Sequence, residues 1–301
     1  MSAFVRAANE TDIDGICSLL HNKMNSKISV ERWRRLMTYE WLDDKPDFGR
    51  IVESDGEVLG FCGMVYSDRL LGSEATGLRK ERMVSMSSWY LDRSLRGMGL
   101  GSKMLVSSIA DPMMTYATLT NSPKPLAKQD EAGLRVLEDH RYLWHKKAGR
   151  LHAGLSHNIE SSGSAICEKV PEHEQLLIND MASQPLTPYL LQADGVDNLL
   201  FFSIKRKAEH ITWYDLMYAS DLNHFSNHAQ GLADALLPDS PSVLAADGRF
   251  VTAPAAEATR EMLPVPRYFK PALDPAGNDR VAPHEVDHLY SELQLLDFKL
   301  D

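Results

Sequence analysis

Cysteine is scarce in this chain of 301 residues. There are three, Cys17, Cys62 and Cys167, far apart and in no CxxC pair. An odd, scattered set suits reduced thiols better than a disulfide framework, so a cytoplasmic location is expected. Long apolar runs are lacking too. No stretch reaches the roughly 18 apolar residues that a membrane-spanning helix needs, and Met1–Arg6 leads into charged sequence without the apolar core of a secretory signal. No membrane partner is expected.

Basic charge is short in one half only. Residues 1–150 hold 22 Lys+Arg against 20 Asp+Glu, a balance of +2. The remainder holds 10 against 22, or -12, and the two make the net charge of -10. The first half can attract an anionic ligand, whereas the second should repel nucleic acid. Hydrophobic residues are 44% and charged residues 25% of the chain, the mix of an ordinary globular protein. At roughly 100–200 residues per domain the length predicts two domains.

The first half alternates short strands and helices. Phe4–Arg6 reads as a strand. Asn9 or Thr11 can cap a helix carrying Ile13, Ile16, Leu19 and Leu20, and Val30–Trp41 gives a second helix. Asp55-Gly56 between two apolar runs signals a hairpin. Met83–Asp92 is β-like, Ser102–Ile109 helical, Tyr116–Leu119 β-like and Glu131–Tyr142 helical. Residues 151–165 are small and polar and read as a linker. The alternation then resumes, with a helix from Glu172 to Met181, strands at Leu199–Ile204 and Ile211–Ala219, a helix from His224 to Leu237 and a strand at Ser242–Ala246. Leu289–Phe298 alternates as a final strand would. The repeated order of elements points to an internal duplication.

Chemistry concentrates in Arg96-Gly97-Met98-Gly99-Leu100-Gly101, between the β-like run and the helix near Ser102. A pyrophosphate needs several donors. Backbone N–H groups at a helix N-terminus supply them where no side chain blocks the approach, and Arg96 adds a fixed positive charge.

These residues resemble the R/Q-x-x-G-x-G/A signature of the GNAT superfamily of N-acyltransferases. The Asp55-Gly56 hairpin and the run from Gly133 to Tyr142 are similar to that family's hairpin and second conserved helix. The resemblance covers about residues 4–145. It implies an α/β (α+β) fold of two GNAT-like domains, 1–150 binding acyl-CoA and 151–301 a degenerate copy, each a mixed, mostly antiparallel sheet flanked by helices. The implied activity is direct transfer of an acyl group, usually acetyl, from acetyl-CoA or another acyl-CoA to an amine of a small molecule or protein. The backbone of Tyr90, Leu91 and Asp92 would line the pantetheine arm. The amides of Gly97, Met98, Gly99, Leu100, Gly101 and Ser102 would hold the pyrophosphate beside Arg96, and Asn121 could touch the cofactor. The family's general acid is often a tyrosine at the position of Leu137 here, so Glu81, His140 and Tyr142 stand as substitute acid–base candidates. A protein that kept the loop but lost its acid would be a non-catalytic CoA-binding protein.

His284-Glu285-Val286-Asp287-His288 is formally HExxH, the zinc-chelating spacing of two histidines on one helical face with a glutamate base. With Leu289 it is similar to the HExDHL segment of peptide deformylases. Their cysteine-bearing and glycine-rich segments are missing, and Ser291 and Gln294 stand where metzincins carry Gly and His. A zinc hydrolase is the weaker alternative, and no metal is expected. His224 and His228 fall where a second phosphate loop would lie, but Asp221–Ser226 has no glycine and carries an acid, so a capped helix without pyrophosphate affinity is expected there.

Overall fold

A computed structural model describes residues 3–73, 77–120, 131–147, 158–207, 210–253 and 257–299. It divides into two compact units. The first comprises Met1–Leu137, Arg267–Val286 and Tyr290–Phe298, and the second Glu138–Pro266, Asp287–Leu289 and Lys299–Asp301. The sequence reading put a boundary at 150. In the structure the chain leaves the first unit after Leu137, and two C-terminal segments return to it.

The first unit's strands are β1 (Phe4–Ala7), β2 (Gly49–Ser54), β3 (Glu57–Ser73), β4 (Gly77–Leu91) and β5 (Thr115–Thr118), in that spatial order, followed by the last residues of β12 (Thr259–Lys270). All neighbours are antiparallel except β4 and β5, which run parallel through the crossover helix α3 (Leu100–Ser108). Asp55 and Gly56 (φ 53° and 80°) form the β2–β3 turn, both in the left-handed region that a two-residue hairpin requires. Helix α1 (Ile13–Leu19) follows the turn Glu10–Asp12, which Asn9 caps. Helix α2 (Val30–Thr38), capped by Ser29, turns Trp33, Leu36 and Met37 inward. They join Ile16, Leu20, Phe61, Tyr66 and Met104 in one core, to which the C-terminal segments add Tyr268, Leu295 and Leu296.

The second unit orders its strands β7 (Asn158–Glu160), β8 (Thr187–Ala193), β9 (Val196–Lys207), β10 (Ile211–Ala219), β11 (Ser242–Asp247) and β6 (Arg135–Trp144). Only β10 and β11 are parallel, joined by helix α6 (Leu222–Leu236). Helices α4 (Gly163–Cys167) and α5 (Glu172–Met181) precede β8. The two units therefore repeat one pattern: a hairpin with an Asp-Gly turn, a long strand, a crossover helix and a parallel strand. Asp194-Gly195 makes the β8–β9 turn with φ of 52° and 76°. What differs is the strand beside the parallel pair. In the first unit the chain's late strand β12 flanks β5, and in the second its earlier strand β6 flanks β11.

Three expectations are corrected. The reading of Glu131–Tyr142 as a helix fails from Arg135 onward, because Arg135–Trp144 is a strand whose residues Arg141–Trp144 pair antiparallel with β11. The Leu137 alignment with a helical tyrosine falls with it. Leu289–Phe298 is not a strand but contains a buried turn of helix, α7 (Glu292–Leu295). The linker reading fails at residues 158–165, which hold β7 and part of α4; residues 151–157 lie outside the described residues.

One buried acid gives a stability prediction. Glu174, on α5, is 7% exposed. Burial pushes its carboxyl up to about 7, against the partial opposition of the Ser220 hydroxyl. A carboxyl raised in the fold favours the proton-bound state. Its contribution is therefore full below the unfolded pKa of about 4.3 and is lost as pH rises through about 7, a loss of up to about 4 kcal/mol. Glu174→Gln should match the wild type near pH 4 and exceed its stability at pH 8, as read by denaturant unfolding at both values.

Candidate coenzyme site

The site is built where β4 gives way to α3. Strand β4 pairs with β3 continuously from Gly77 to Ser87, slips register at a bulge, and resumes at Tyr90 and Leu91. Ser88 sits in the bulge with φ of 51°, a costly conformation for a residue with a side chain. On its other flank β4 meets β5 only through Met83, Val84 and Ser85. Beyond Ser85 the pairing with β5 ends, and among the described residues no strand pairs that flank. The end of this pairing makes the β4–β5 fork.

After β4, Asp92 caps a short turn, its Oδ1 accepting from the Ser94 amide (2.9 Å) and hydroxyl (2.7 Å). These donors, the backbone amide first, hold its carboxyl below the ordinary carboxylate range. Arg96 Nε donates to the Leu91 carbonyl (3.1 Å), and its guanidinium lies 5.9 Å from the centre of the Tyr90 ring. Gly97 and Gly99 have φ of 87° and 76°. A Cβ on either would meet nothing within 4 Å, so conformation rather than crowding selects glycine there, and the space above them is open. Gly99 is the N-cap of α3 and offers no side-chain acceptor. The first amides of a helix have no intrahelical partner. They lie at the positive end of the helix dipole, which favours an anion. Met98 is exposed, while the side chain of Leu100 belongs to the core, so Leu100 can contribute only its amide to a ligand.

The equivalent helix of the second unit begins at an acid instead of a glycine. The side chain of Asp221 caps α6 and accepts from the His224 amide (2.9 Å). His224 and His228 are both buried on α6, with His224 Nε2 3.0 Å from the Ala193 carbonyl and His228 Nε2 3.2 Å from Asp194. The capped-helix expectation for this segment is what the structure has.

The acid–base candidates fall on different elements. Glu81 is 2% exposed on β4, and its carboxylate accepts from Arg280 at 2.8 and 3.1 Å with Arg79 at 3.6 Å. His140 and Tyr142 are on β6 in the second unit, their rings edge to face at 5.4 Å, and His140 Nδ1 lies 2.7 Å from Asp139. Asn121 lies outside the described residues. The zinc arrangement does not form. The helical turn is only Pro283–Glu285, Val286 is extended, and the two histidines do not share a helical face. Glu285 is bound by Arg79 (2.6 Å) and the Ala282 amide (2.8 Å), while His288 is buried against Asp247 (2.9 Å). Among the described residues Glu138, Asp139 and His140 are the one clustered set of metal-ligand types. The Glu138 carboxylate there already accepts the amides of Asp139, His140 and Arg249.

Sequence reasoning missed Glu292, which is fully buried. It accepts from the Ser85 hydroxyl at 2.6 Å and the Thr120 hydroxyl at 2.8 Å. Burial pushes its carboxyl above the ordinary range, against those two hydrogen bonds. The signal was an acid inside the apolar run Leu289–Leu296, which the alternation of that run obscured.

The family model described as the acetyltransferase (GNAT) family matches residues 16–110, the span from α1 through the glycine loop to the end of α3. Over that span the chain is similar to the GNAT acetyltransferase family. No curated protein matches it. Among solved structures it is similar to a GCN5-related N-acetyltransferase from Kribbella flavida (12% identity, 89% of this chain and 70% of that one, TM-score 0.57). It is similar also to a probable N-acyltransferase from Enterococcus faecalis V583 (12%, 89% and 72%, TM-score 0.56). A third is the GCN5-related N-acetyltransferase from Anabaena variabilis ATCC 29413 (10%, 89% and 72%, TM-score 0.52). At these identities the likeness is one of fold. It extends beyond the residues that the family model matches, so the GNAT-like fold takes in most of the chain.

Proposed function

We propose that this protein is an acyl-CoA-dependent N-acyltransferase, with acetyl-CoA the simplest donor, acting on an amine by direct transfer. The observation that carries the reading is the α3 N-terminus. Its N-cap, Gly99, has no side chain to close it; it is reached through two left-handed glycines and follows a strand whose pairing with its parallel neighbour ends at Ser85. In this reading the pyrophosphate sits on the amides of residues 97–102 with Arg96 alongside, and the pantetheine arm lies along Tyr90, Leu91 and Asp92 toward the fork. The amine, deprotonated by a base or through water, attacks the thioester carbon. The C–S bond breaks, and the thiolate takes up a proton. Glu81, His140 and Tyr142 are the side chains to substitute first in the search for that acid and base.

The second unit is a diverged copy of the first that does not bind the coenzyme, as its acidic balance and the Asp221 cap suggest. The acceptor is a small molecule or a protein amine rather than a nucleic acid, and the reaction belongs to the cytoplasm. No helix among the described residues is long and apolar enough to cross a membrane.

The test is calorimetric titration with acetyl-CoA followed by a screen of amine acceptors for thiol release. One coenzyme bound per chain and acceptor-dependent thiol release are expected. Binding without turnover on any amine would favour a CoA-binding protein that lacks catalysis, and two coenzymes per chain would show that the second unit has been misjudged.

A further inference from the structure

The fork between β4 and β5 is held by a residue from the far end of the chain. Ser85 is the last residue of β4 that still pairs with β5, and Thr120 lies just beyond the end of β5 at Thr118. One carboxyl group joins them: the Ser85 hydroxyl donates to Glu292 Oε2 (2.6 Å) and the Thr120 hydroxyl to Oε1 (2.8 Å). All three residues belong to the first unit. Glu292 has no exposure, and its neighbours Ser291, Leu293, Gln294 and Leu295 are each 1% exposed, so the carboxyl is fixed by packing as well as by its two bonds. A buried carboxyl costs free energy unless its oxygens are satisfied. Here both oxygens are satisfied by the hydroxyls of Ser85 and Thr120, at the point where the β4–β5 pairing ends.

We propose that Glu292 is a positioning residue that sets the opening of the β4–β5 fork and thereby the seat of the pantetheine arm. The inference rests on the acyl-CoA reading above and deepens it. The pyrophosphate loop is held by other contacts: Asp92 with Ser94, and Arg96 with Leu91. Loss of the clamp should therefore weaken the part of the coenzyme that enters the fork and spare the part that sits on the loop.

The experiment compares two probes by calorimetry, CoA and 3′-phospho-ADP, which is the coenzyme without its pantetheine arm. Glu292→Ala should raise the Kd for CoA by about tenfold or more and leave that for 3′-phospho-ADP unchanged within about twofold. Glu292→Gln should restore CoA affinity, because its amide oxygen accepts one hydroxyl proton and its N–H donates to the other hydroxyl oxygen. Should Glu292→Ala fail to fold, Thr120→Val removes one tether from a more exposed position, with a smaller loss confined to CoA. Equal losses for both probes would mark a merely structural role and overturn the proposal. So would unchanged CoA affinity, or a glutamine variant as weak as the alanine one. A wild type that binds neither probe would instead overturn the acyl-CoA reading itself, and this inference with it.

Discussion

Gly99→Asp should leave the protein folded and lower its affinity for acetyl-CoA by at least tenfold, about 1.4 kcal/mol or more. Gly99 has φ of 76°, where aspartate and asparagine are the side chains least penalised. No neighbour lies within 4 Å of the added Cβ, so the substitution causes no clash. An aspartate at the N-cap can accept from the first amides of α3 and place its charge at the positive end of the dipole, which relative to glycine is worth only about a few tenths of a kcal/mol of stability. The same carboxylate occupies the donors that a pyrophosphate would use, and it repels the phosphates. The second unit already contains this arrangement at Asp221. Gly99→Asn separates the two effects: its uncharged side chain can compete for the amides but does not repel, so its affinity should fall between the two. Unfolding and calorimetry on the three proteins, at two salt concentrations, provide the check. A folded Gly99→Asp protein with wild-type affinity would remove the loop from the coenzyme site.

The loop was legible because glycine spacing before a helix has a local cause. Positive φ at Gly97 and Gly99 and an uncapped helix start are fixed within a few residues. The same holds for the Asp55-Gly56 turn and for α5, whose bounds the pattern met at both ends. The equivalent Asp194-Gly195 turn was equally legible and was passed over, together with β8. What failed was set by distant partners. Leu134 and Leu137 stand at helical spacing, yet Leu137, Leu143 and Trp144 are buried in strand β6, whose Arg141–Trp144 end pairs with β11. Leu289–Leu296 is buried nearly throughout, and where a segment is buried on all sides its apolar pattern no longer reports a period. Glu292 was invisible for the same reason. Its meaning lies in Ser85 and Thr120, some two hundred residues earlier by chain position.

A chain cut after residue 150 should not fold, although the sequence alone makes that cut look natural. The first unit's own contacts give the reason. Removal of residues 267–298 takes β12 from β5, where Tyr268, Phe269 and Lys270 pair with Thr118, Ala117 and Tyr116. It also takes the bonds from Arg267 to the Leu119 carbonyl (2.8 Å) and from Lys270 to the Ile109 carbonyl (2.8 Å). A short, apolar strand then becomes an open edge, a template for aggregation. The core loses Tyr268, Leu295 and Leu296, and each buried Leu lost to a cavity costs about 2–5 kcal/mol. Glu81 loses Arg280, its principal ion-pair partner. Together these losses rival the roughly 5–15 kcal/mol by which a domain of this size is stable. Residues 1–137 joined by a flexible linker to residues 267–298 restore every one of these contacts and should fold. Gel filtration and denaturant unfolding of the two chains decide the matter: a cooperative transition in the 1–150 chain, with a denaturant slope matching that of the linked chain, would show that the returning segments are dispensable.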